Sequence, residues 1–295
     1  MATEPQASAL ATQIHPDTRI GSVHLTVRDL SRSRDFYERV LGLQVAERDS
    51  GALSFSAADG PALIELHGDT AALPLDPRAT GLFHQALLMP TRRDLALALG
   101  RVAQARWPLS GASDHLVSEA LYLSDPDGNG IEIYRDRPRE QWPRRSGTVE
   151  MATLPLDLDD LIGELTGGEA IAEGGPAAAT IGHVHLQVAE LRDVEAFYSG
   201  VLGFDVIVRT YPGALFVSAG GYHHHIGLNT WRSAGSPPPP AGAVGLRLYE
   251  VLVPDADELD RVLARIAEAG IAAEAREDGA FVRDPSGNGV LLRTA

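Results

Sequence analysis

The sequence predicts an α+β protein of two modules, each built from two β-α-β-β-β units. Three observations carry this. Ile20-Gly-Ser-Val-His-Leu-Thr-Val27 returns as Ile181-Gly-His-Val-His-Leu-Gln-Val188, and Phe36-Tyr-Glu-Arg-Val-Leu-Gly42 returns as Phe197-Tyr-Ser-Gly-Val-Leu-Gly203, both 161 residues later. A fixed internal offset marks a repeated supersecondary unit. An apolar-alternating stretch, a helix-period stretch and several short alternating stretches then follow one another in each repeat. Finally, Asp125-Pro-Asp-Gly-Asn-Gly130 and Asp284-Pro-Ser-Gly-Asn-Gly289 read as turns that feed a last strand.

In chain order, Ile20 to Val27 is a strand. Asp29 to Leu41 is an amphipathic helix with Leu30, Phe36, Tyr37, Val40 and Leu41 inward, capped by Asp29 or Ser31 and stopped by Gly42. Gln44 to Glu47, Ala52 to Ala57 and Ala62 to His67 complete the first unit. Pro74 to Thr80 is a turn-rich connection. Gly81 to Met89 is an apolar strand, Thr91 to Ala105 a helix capped by Thr91, and strands follow near Leu109, at Ser118 to Leu123 and at Gly130 to Tyr134. Arg135 to Arg145 is polar and reads as leaving the fold; Pro155 to Leu165 reads as a short helix. The Gly/Ala-rich run Gly167 to Ala179 is a linker. The third and fourth units are separated by Pro237 to Pro240, and Asp257 to Ala269 is the last helix, ended by Gly270. These readings divide the chain into a flexible N-terminus (1–18), a first module (19–137), a linker with a short helix (138–179) and a second module (180–295).

With 295 residues, 44% of them hydrophobic, two domain-sized cores are within reach. A net charge of −15 argues against nucleic-acid or anionic-membrane partners, which need a positive face. The chain has no cysteine, which removes disulfides and thiolate chemistry and suits a cytoplasmic setting. No run reaches the ~18 apolar residues of a membrane span, and Met1 to Gln13 lacks the pattern of a signal peptide. Assembly into a homo-oligomer is compatible with the sequence.

Polar residues on strands are unevenly distributed. The first unit has His24 on its first strand. The second has His84 and Glu132; the third has His183 and His185, with His223, His224 and His225 opening its last strand. The fourth has Leu248 and Leu291 at the places of His84 and Glu132. A buried carboxylate is costly unless paired or bound to a metal. Two histidines and a carboxylate facing one cavity form the facial triad of non-haem Fe(II) oxygenases. His84, Glu132 and His185 fit that pattern if units two and three pair across the repeat boundary; His24 replaces His185 if units one and two form the cup. The additional histidines of unit three favour His185.

Taken together, the repeated Ile-Gly-x-Val-His-Leu-x-Val strands, the Phe-Tyr-x-x-Val-Leu-Gly helix ends and the Asp-Pro-x-Gly-Asn-Gly turns resemble the vicinal oxygen chelate superfamily. Within it, Ser118 to Tyr134 and Gly220 to Trp231 are most similar to two-module extradiol ring-cleavage dioxygenases of the catechol 2,3-dioxygenase kind. The resemblance implies curved mixed sheets around a metal-binding cup, an Fe(2+) cofactor, and a catecholic substrate opened with O2. It also implies substrate-anchoring roles for His115 and for Tyr122, ten residues before Glu132, and an acid-base histidine within His223 to His225, for which His225 is the choice. The larger relatives keep the site in the C-terminal module, where this chain has Leu248 and Leu291. The same superfamily contains metal-dependent glyoxalase-like lyases and isomerases, for which Glu65 would be a fourth ligand, and small-molecule-binding resistance proteins without turnover.

Overall fold

The computed structural model describes residues 12–48, 51–58, 60–145, 147–165, 176 and 178–295. Most of the expected flexible start, residues 1–11, and most of the Gly/Ala-rich linker, 166–175 and 177, lie outside the described residues.

The strands form two large mixed sheets. The first unit supplies β1 (Arg19–Val27), α1 (Leu30–Arg39), β2 (Gln44–Glu47), β3 (Leu53–Ser56) and β4 (Ala62–Gly68). The second supplies β5 (Gly81–Leu88), α2 (Arg92–Gln104), β6 (Gly111–Asp114), β7 (Ser118–Ser124) and β8 (Gly130–Asp136). Short strands β9 (Arg144–Arg145), β10 (Thr148–Val149) and β11 (Leu154–Pro155), then helix α3 (Leu158–Ile162), lead to the second module. There β12 (Thr180–Gln187), α4 (Leu191–Glu195), β13 (Asp205–Val208), β14 (Ala214–Ser218) and β15 (Ile226–Asn229) make the third unit. β16 (Gly245–Val253), α5 (Ala256–Glu268), β17 (Glu274–Arg276), β18 (Gly279–Arg283) and β19 (Gly289–Thr294) make the fourth.

Each sheet draws on both modules. β17-β18-β19-β16-β1-β4-β3-β2 is one sheet, joining units four and one, and β11-β6-β7-β8-β5-β12-β15-β14-β13 is the other, joining units two and three. Within each unit the first and last strands are parallel, as in β5 with β8 and β12 with β15. The module-crossing seams, β1 with β16 and β5 with β12, are antiparallel. This is the curled α+β arrangement that the repeat predicts.

The repeated motifs hold the units of one module together. Asp125 accepts from the backbone N–H groups of Asp127 and Asn129, from the Asn129 side chain, and from the Tyr37 hydroxyl at 3.2 Å. Asp284 does the same with Ser286, Asn288 and Tyr198. The Phe-Tyr helix of one unit is thereby bonded to the Asp-Pro turn of the next. Both aspartates are buried, and burial raises their carboxyl pKa above the ordinary value against these hydrogen bonds. Asp29 and Thr91 cap their helices as expected, each accepting from the backbone N–H three residues on, and Asp255 does the same for the last helix, which begins at Ala256 rather than Asp257.

Four expectations are corrected. Residues 12–18 are packed: Ile14 is buried, its N–H donates to the Gly203 carbonyl, and Thr18 is buried too. Gly203 and Gly220 leave room for this segment, since a Cβ there would meet the Thr12 and Pro16 carbonyl oxygens at 2.4 Å. The segment from Arg135 does not leave the fold. β8 runs to Asp136, Arg135 and Arg137 both reach Glu119, and Trp142 is buried with its indole N–H on the Arg137 carbonyl. The charges there read as surface because their buried carboxylate partner lies on another strand. The strand expected near Leu109 begins at Gly111. His223 to His225 precede β15 rather than lying on it.

Asp284→Ala removes the acceptor for two buried N–H groups, an amide and a phenol. We expect a loss of about 3 kcal/mol in denaturant unfolding of the full chain.

Candidate active site

The site is set by register. On β5, Ala86 pairs on one side with His183 of β12 and on the other with Glu132 of β8. Ala86 carries only a methyl group, so the longer side chains on either side meet above it. His84 is two residues along β5 on the same face. The result is a buried cluster in which His84 Nε2 is 2.9 Å and His183 Nε2 is 3.3 Å from Glu132 Oε2. The donor atoms of His84, Glu132 and His183 all lie within 4.8 Å of one another.

His183 therefore stands where the sequence reading put His185. His185 pairs with His84, not with Ala86, and is one rank from the carboxylate. Its ring packs over Gly227, where a Cβ would lie 2.9 Å from the ring. It lines the same cavity, 4.9 Å ring to ring from His84, and its buried Nε2 has no hydrogen-bond partner. His24, the other candidate, is on β1 in the other sheet, as is Glu65 on β4.

The cluster's chemistry suits a cation. Burial alone would raise the Glu132 carboxyl, but His183 and His84 outweigh it and hold the pKa well below the carboxylate range. Burial lowers His183 to about 4, against the pull of Glu132, so its imidazole is neutral at neutral pH. His84 Nε2 is buried and, despite its closeness to Glu132, has no aligned hydrogen bond. Two imidazoles and a carboxylate, with an orphaned ring nitrogen on His84, make a fitting donor set for a divalent metal.

The other expected residues surround it. Tyr122 pairs with Glu132 across β7 and β8. Its hydroxyl lies 2.6 Å from His115 Nε2, while His115 Nδ1 lies 2.7 Å from the Ala152 carbonyl. A carbonyl can only accept, so His115 Nδ1 carries the proton and Nε2 accepts from Tyr122. Burial, reinforced by Glu132, raises the Tyr122 phenol well above its ordinary value.

Of the three consecutive histidines, His224 lines the cavity and His225 does not. His224 packs 4.1 Å ring to ring against His183. His225 Nδ1 instead accepts from the Ala219 N–H at 3.1 Å. A relay not visible in the sequence stands behind His224. His223 Nε2 is 2.8 Å from Asp136 Oδ1, and His223 Nδ1 is 2.8 Å from His224 Nδ1. With Asp136 as acceptor, His223 holds its proton on Nε2, so His224 donates from Nδ1 and its own Nε2 is left as an acceptor. Tyr222 also donates to Asp136 and bonds Tyr134 at 2.7 Å. Gly182 lets β12 pass there, since a Cβ would lie 1.8 Å from the Tyr134 oxygen.

His84, Glu132, His115, Tyr122, His185 and His224 line one cavity of about 540 Å³, with Phe83, Met151, Tyr211, Phe216 and Trp231 in its walls. That is the size and character of a small-molecule site, a largely apolar pocket with few polar groups. No helix among the described residues is long and apolar enough to cross a membrane.

Comparison with known proteins identifies the family to which this fold belongs. The family model for the Glyoxalase/Bleomycin resistance protein/Dioxygenase superfamily matches residues 19–133 and again 180–292. A Bacillus subtilis (strain 168) protein named catechol-2,3-dioxygenase is 46% identical over 278 residues, covering 93% of this chain and 96% of the relative. Among solved structures, a Bacillus subtilis chain described as a candidate dioxygenase superposes with a TM-score of 0.65 at 16% identity, covering 96% of this chain and 86% of that one. Glyoxalase I from Zea mays superposes with a TM-score of 0.58, also at 16% identity, covering 94% and 92%. At that identity the two structures support the fold alone. By its two matched repeats, its curled sheets and its full-length relative, the chain belongs to the Glyoxalase/Bleomycin resistance protein/Dioxygenase superfamily.

Proposed function

We propose that this protein is an extradiol dioxygenase that opens the ring of catechol or a substituted catechol with O2. The observation that carries the reading is the buried His84, Glu132 and His183 donor set, of which His84 and Glu132 line the same largely apolar cavity as the Tyr122–His115 pair. The 46% identity to a protein named catechol-2,3-dioxygenase supports the same reaction class. Fe(2+) is the cofactor we assign, held by His84, His183 and Glu132; when bound, it lowers the phenol pKa of a catechol and activates O2 beside it.

The chain's own residues supply binding and proton handling. Phe83, Phe216 and Trp231 line the cavity and can sandwich an aromatic ring. Tyr122, its proton held toward His115, offers its oxygen to a substrate hydroxyl; a proton arriving there can pass to His115 Nε2. His224, neutral because burial and its histidine neighbours depress it, can take a phenolic proton on Nε2 and later return it. Asp136 steadies the resulting charge through His223. His185 is a cavity-wall residue near the substrate rather than a metal ligand. The separation of Glu65 from this cluster, in the other sheet, favours a three-ligand site over a glyoxalase-like four-ligand site. We assign the enzyme to the cytoplasm, and its partners to small molecules and copies of itself.

The test is purification without air, iron analysis, and a spectroscopic assay for yellow ring-cleavage product from catechol. Iron with product supports the proposal; nickel or zinc without ring cleavage would instead indicate an isomerase-type enzyme. His183→Ala should lose iron and lower turnover at least about 100-fold, whereas His185→Ala should keep its iron. The opposite pattern would restore His185 as the ligand. Tyr122→Phe should keep iron and lower turnover. His224→Ala should also keep iron and lower turnover by about 10²–10⁴-fold.

His225 gives a separate prediction. Burial, with His223 and His183 nearby, depresses its pKa from 6.5 to about 3. The unfolded chain thus takes up a proton near pH 6.5 that the folded chain refuses. Stability linked to His225 is intact above pH 6.5 and falls by up to about 1.4 kcal/mol per unit as pH drops toward 3. His225→Gln should flatten that slope in urea unfolding between pH 6.5 and 4 while leaving ring cleavage in place.

A further inference from the structure

A second histidine–carboxylate cluster lies in the other sheet. His24 on β1 and Glu65 and His67 on β4 bring their donor atoms within 4.8 Å of one another. His24 Nδ1 is 3.7 Å and His67 Nε2 is 3.1 Å from Glu65 Oε1, and the two rings stack 5.8 Å apart. All three side chains are partly exposed, so an ion has access from solvent.

This cluster does not repeat the His84 donor set. The positions matching His183, His84 and Glu132 in this sheet are Ser22, Leu248 and Leu291. The register of β1 with β4 sets His24 beside Glu65 and Thr26 beside His67. The same register of β12 with β15 sets His185 beside Gly227 and Gln187 beside Asn229. Glu65 and His67 therefore belong to the first unit alone, one rank away from the place where the other sheet gathers its donors.

The two ring nitrogens that face Glu65 make no aligned hydrogen bond to it. The Ser22 hydroxyl is 2.9 Å from His24 Nε2 and can accept its proton, which leaves the Nδ1 lone pair toward Glu65. His67 Nε2 is buried and, though 3.1 Å from the carboxylate, has no aligned hydrogen bond. A cation shared by the three groups resolves both. Glu250 adds negative charge near His24, with Arg247 and Arg48 at longer reach on the positive side. We propose that His24, Glu65 and His67 form a second divalent transition-metal site, separate from the cavity, with Zn2+ the best match to two imidazoles and one carboxylate. The ion would tie β1 to β4 and stabilise the first unit.

The test uses the full chain with the first cluster disabled by His84→Ala and Glu132→Ala, so its result does not depend on the proposed ring cleavage. After chelator treatment, calorimetric titration with Zn2+ should find one site per chain, and Zn2+ should raise the thermal midpoint. Adding Glu65→Gln and His67→Gln should weaken binding at least about tenfold and abolish the thermal shift. Zn2+ uptake unaffected by those two changes, or no site at all, would overturn the proposal and leave the cluster as an ion-pair network. Should the combined variant fail to fold, Co2+ added to chain of native sequence with 15N-labelled histidine decides the matter. The proposal requires paramagnetic broadening of His24 and His67 ring signals, and their survival unbroadened would refute it.

Discussion

The seam between β5 and β12 is the constraint on which the rest depends. It joins strands from different modules, and its register puts His183 opposite Ala86. The β5–β8 register puts Glu132 on the other side of the same alanine. His84 and Glu132 come from the first module and His183 from the second, so neither module alone holds all three donors. The modules are otherwise alike in plan. Their separate identity lies in the chain path, while the sheets, which do the structural joining, ignore it.

A carboxylate in that position is expensive. Glu132 is buried, and moving an ionised group out of water costs several kcal/mol unless opposing charge or hydrogen bonds offset it. The two histidines offset it in part, and a bound cation would add to that. The consequence is coupling of metal binding to stability: a ligand that binds the folded site and not the unfolded chain stabilises the fold by mass action. The same reasoning explains the other sheet. With Leu248 and Leu291 at the corresponding places, the buried carboxylate of that seam is instead Glu250, which the Ser22 N–H and the Arg293 guanidinium satisfy, and β1 pairs with β16 without a metal ligand from β16 or β19.

Much of this was legible in the sequence. The repeat, the unit order and the caps of the first two helices could be read from spacing and alternation, because each is a periodic or local property; the pairing of unit two with unit three is signalled only by the concentration of histidines in those units. The choice between His183 and His185 could not be read from alternation, since residues two apart on a strand share a face. A different signal was available. His185 is matched in the repeat by His24, whereas His183 is matched by Ser22, just as His84 and Glu132 are matched by leucines. The residues that converge in the buried cluster are those that the copies do not share. Asp136 was invisible for a different reason: its partner, His223, is distant in sequence, and the segment around it reads as a charged surface. That His224 rather than His225 lines the cavity could not be read, because the three histidines precede β15 and strand alternation does not apply to them.

That distinction between shared and unshared residues separates scaffold from chemistry throughout the chain. Tyr37 with Asp125 and Tyr198 with Asp284 are the same buried bond made twice, and they dock the two units of each module. A residue kept in both copies is held there by a structural requirement that both copies have. A residue present in one copy answers to a requirement of that copy's surroundings. Glu132, His84 and His183 pass that test and converge. Glu65 and His67 pass it as well, since Gly227 and Asn229 stand at their places. His24 alone does not discriminate, because its counterpart His185 is also a histidine; in each sheet it is the unshared neighbours that decide what the common imidazole faces. In one sheet it faces an apolar cavity over Gly227, and in the other a carboxylate and a second imidazole. A single ancestral histidine can thus stand in two chemically different settings, with the difference fixed by two positions on the neighbouring strand.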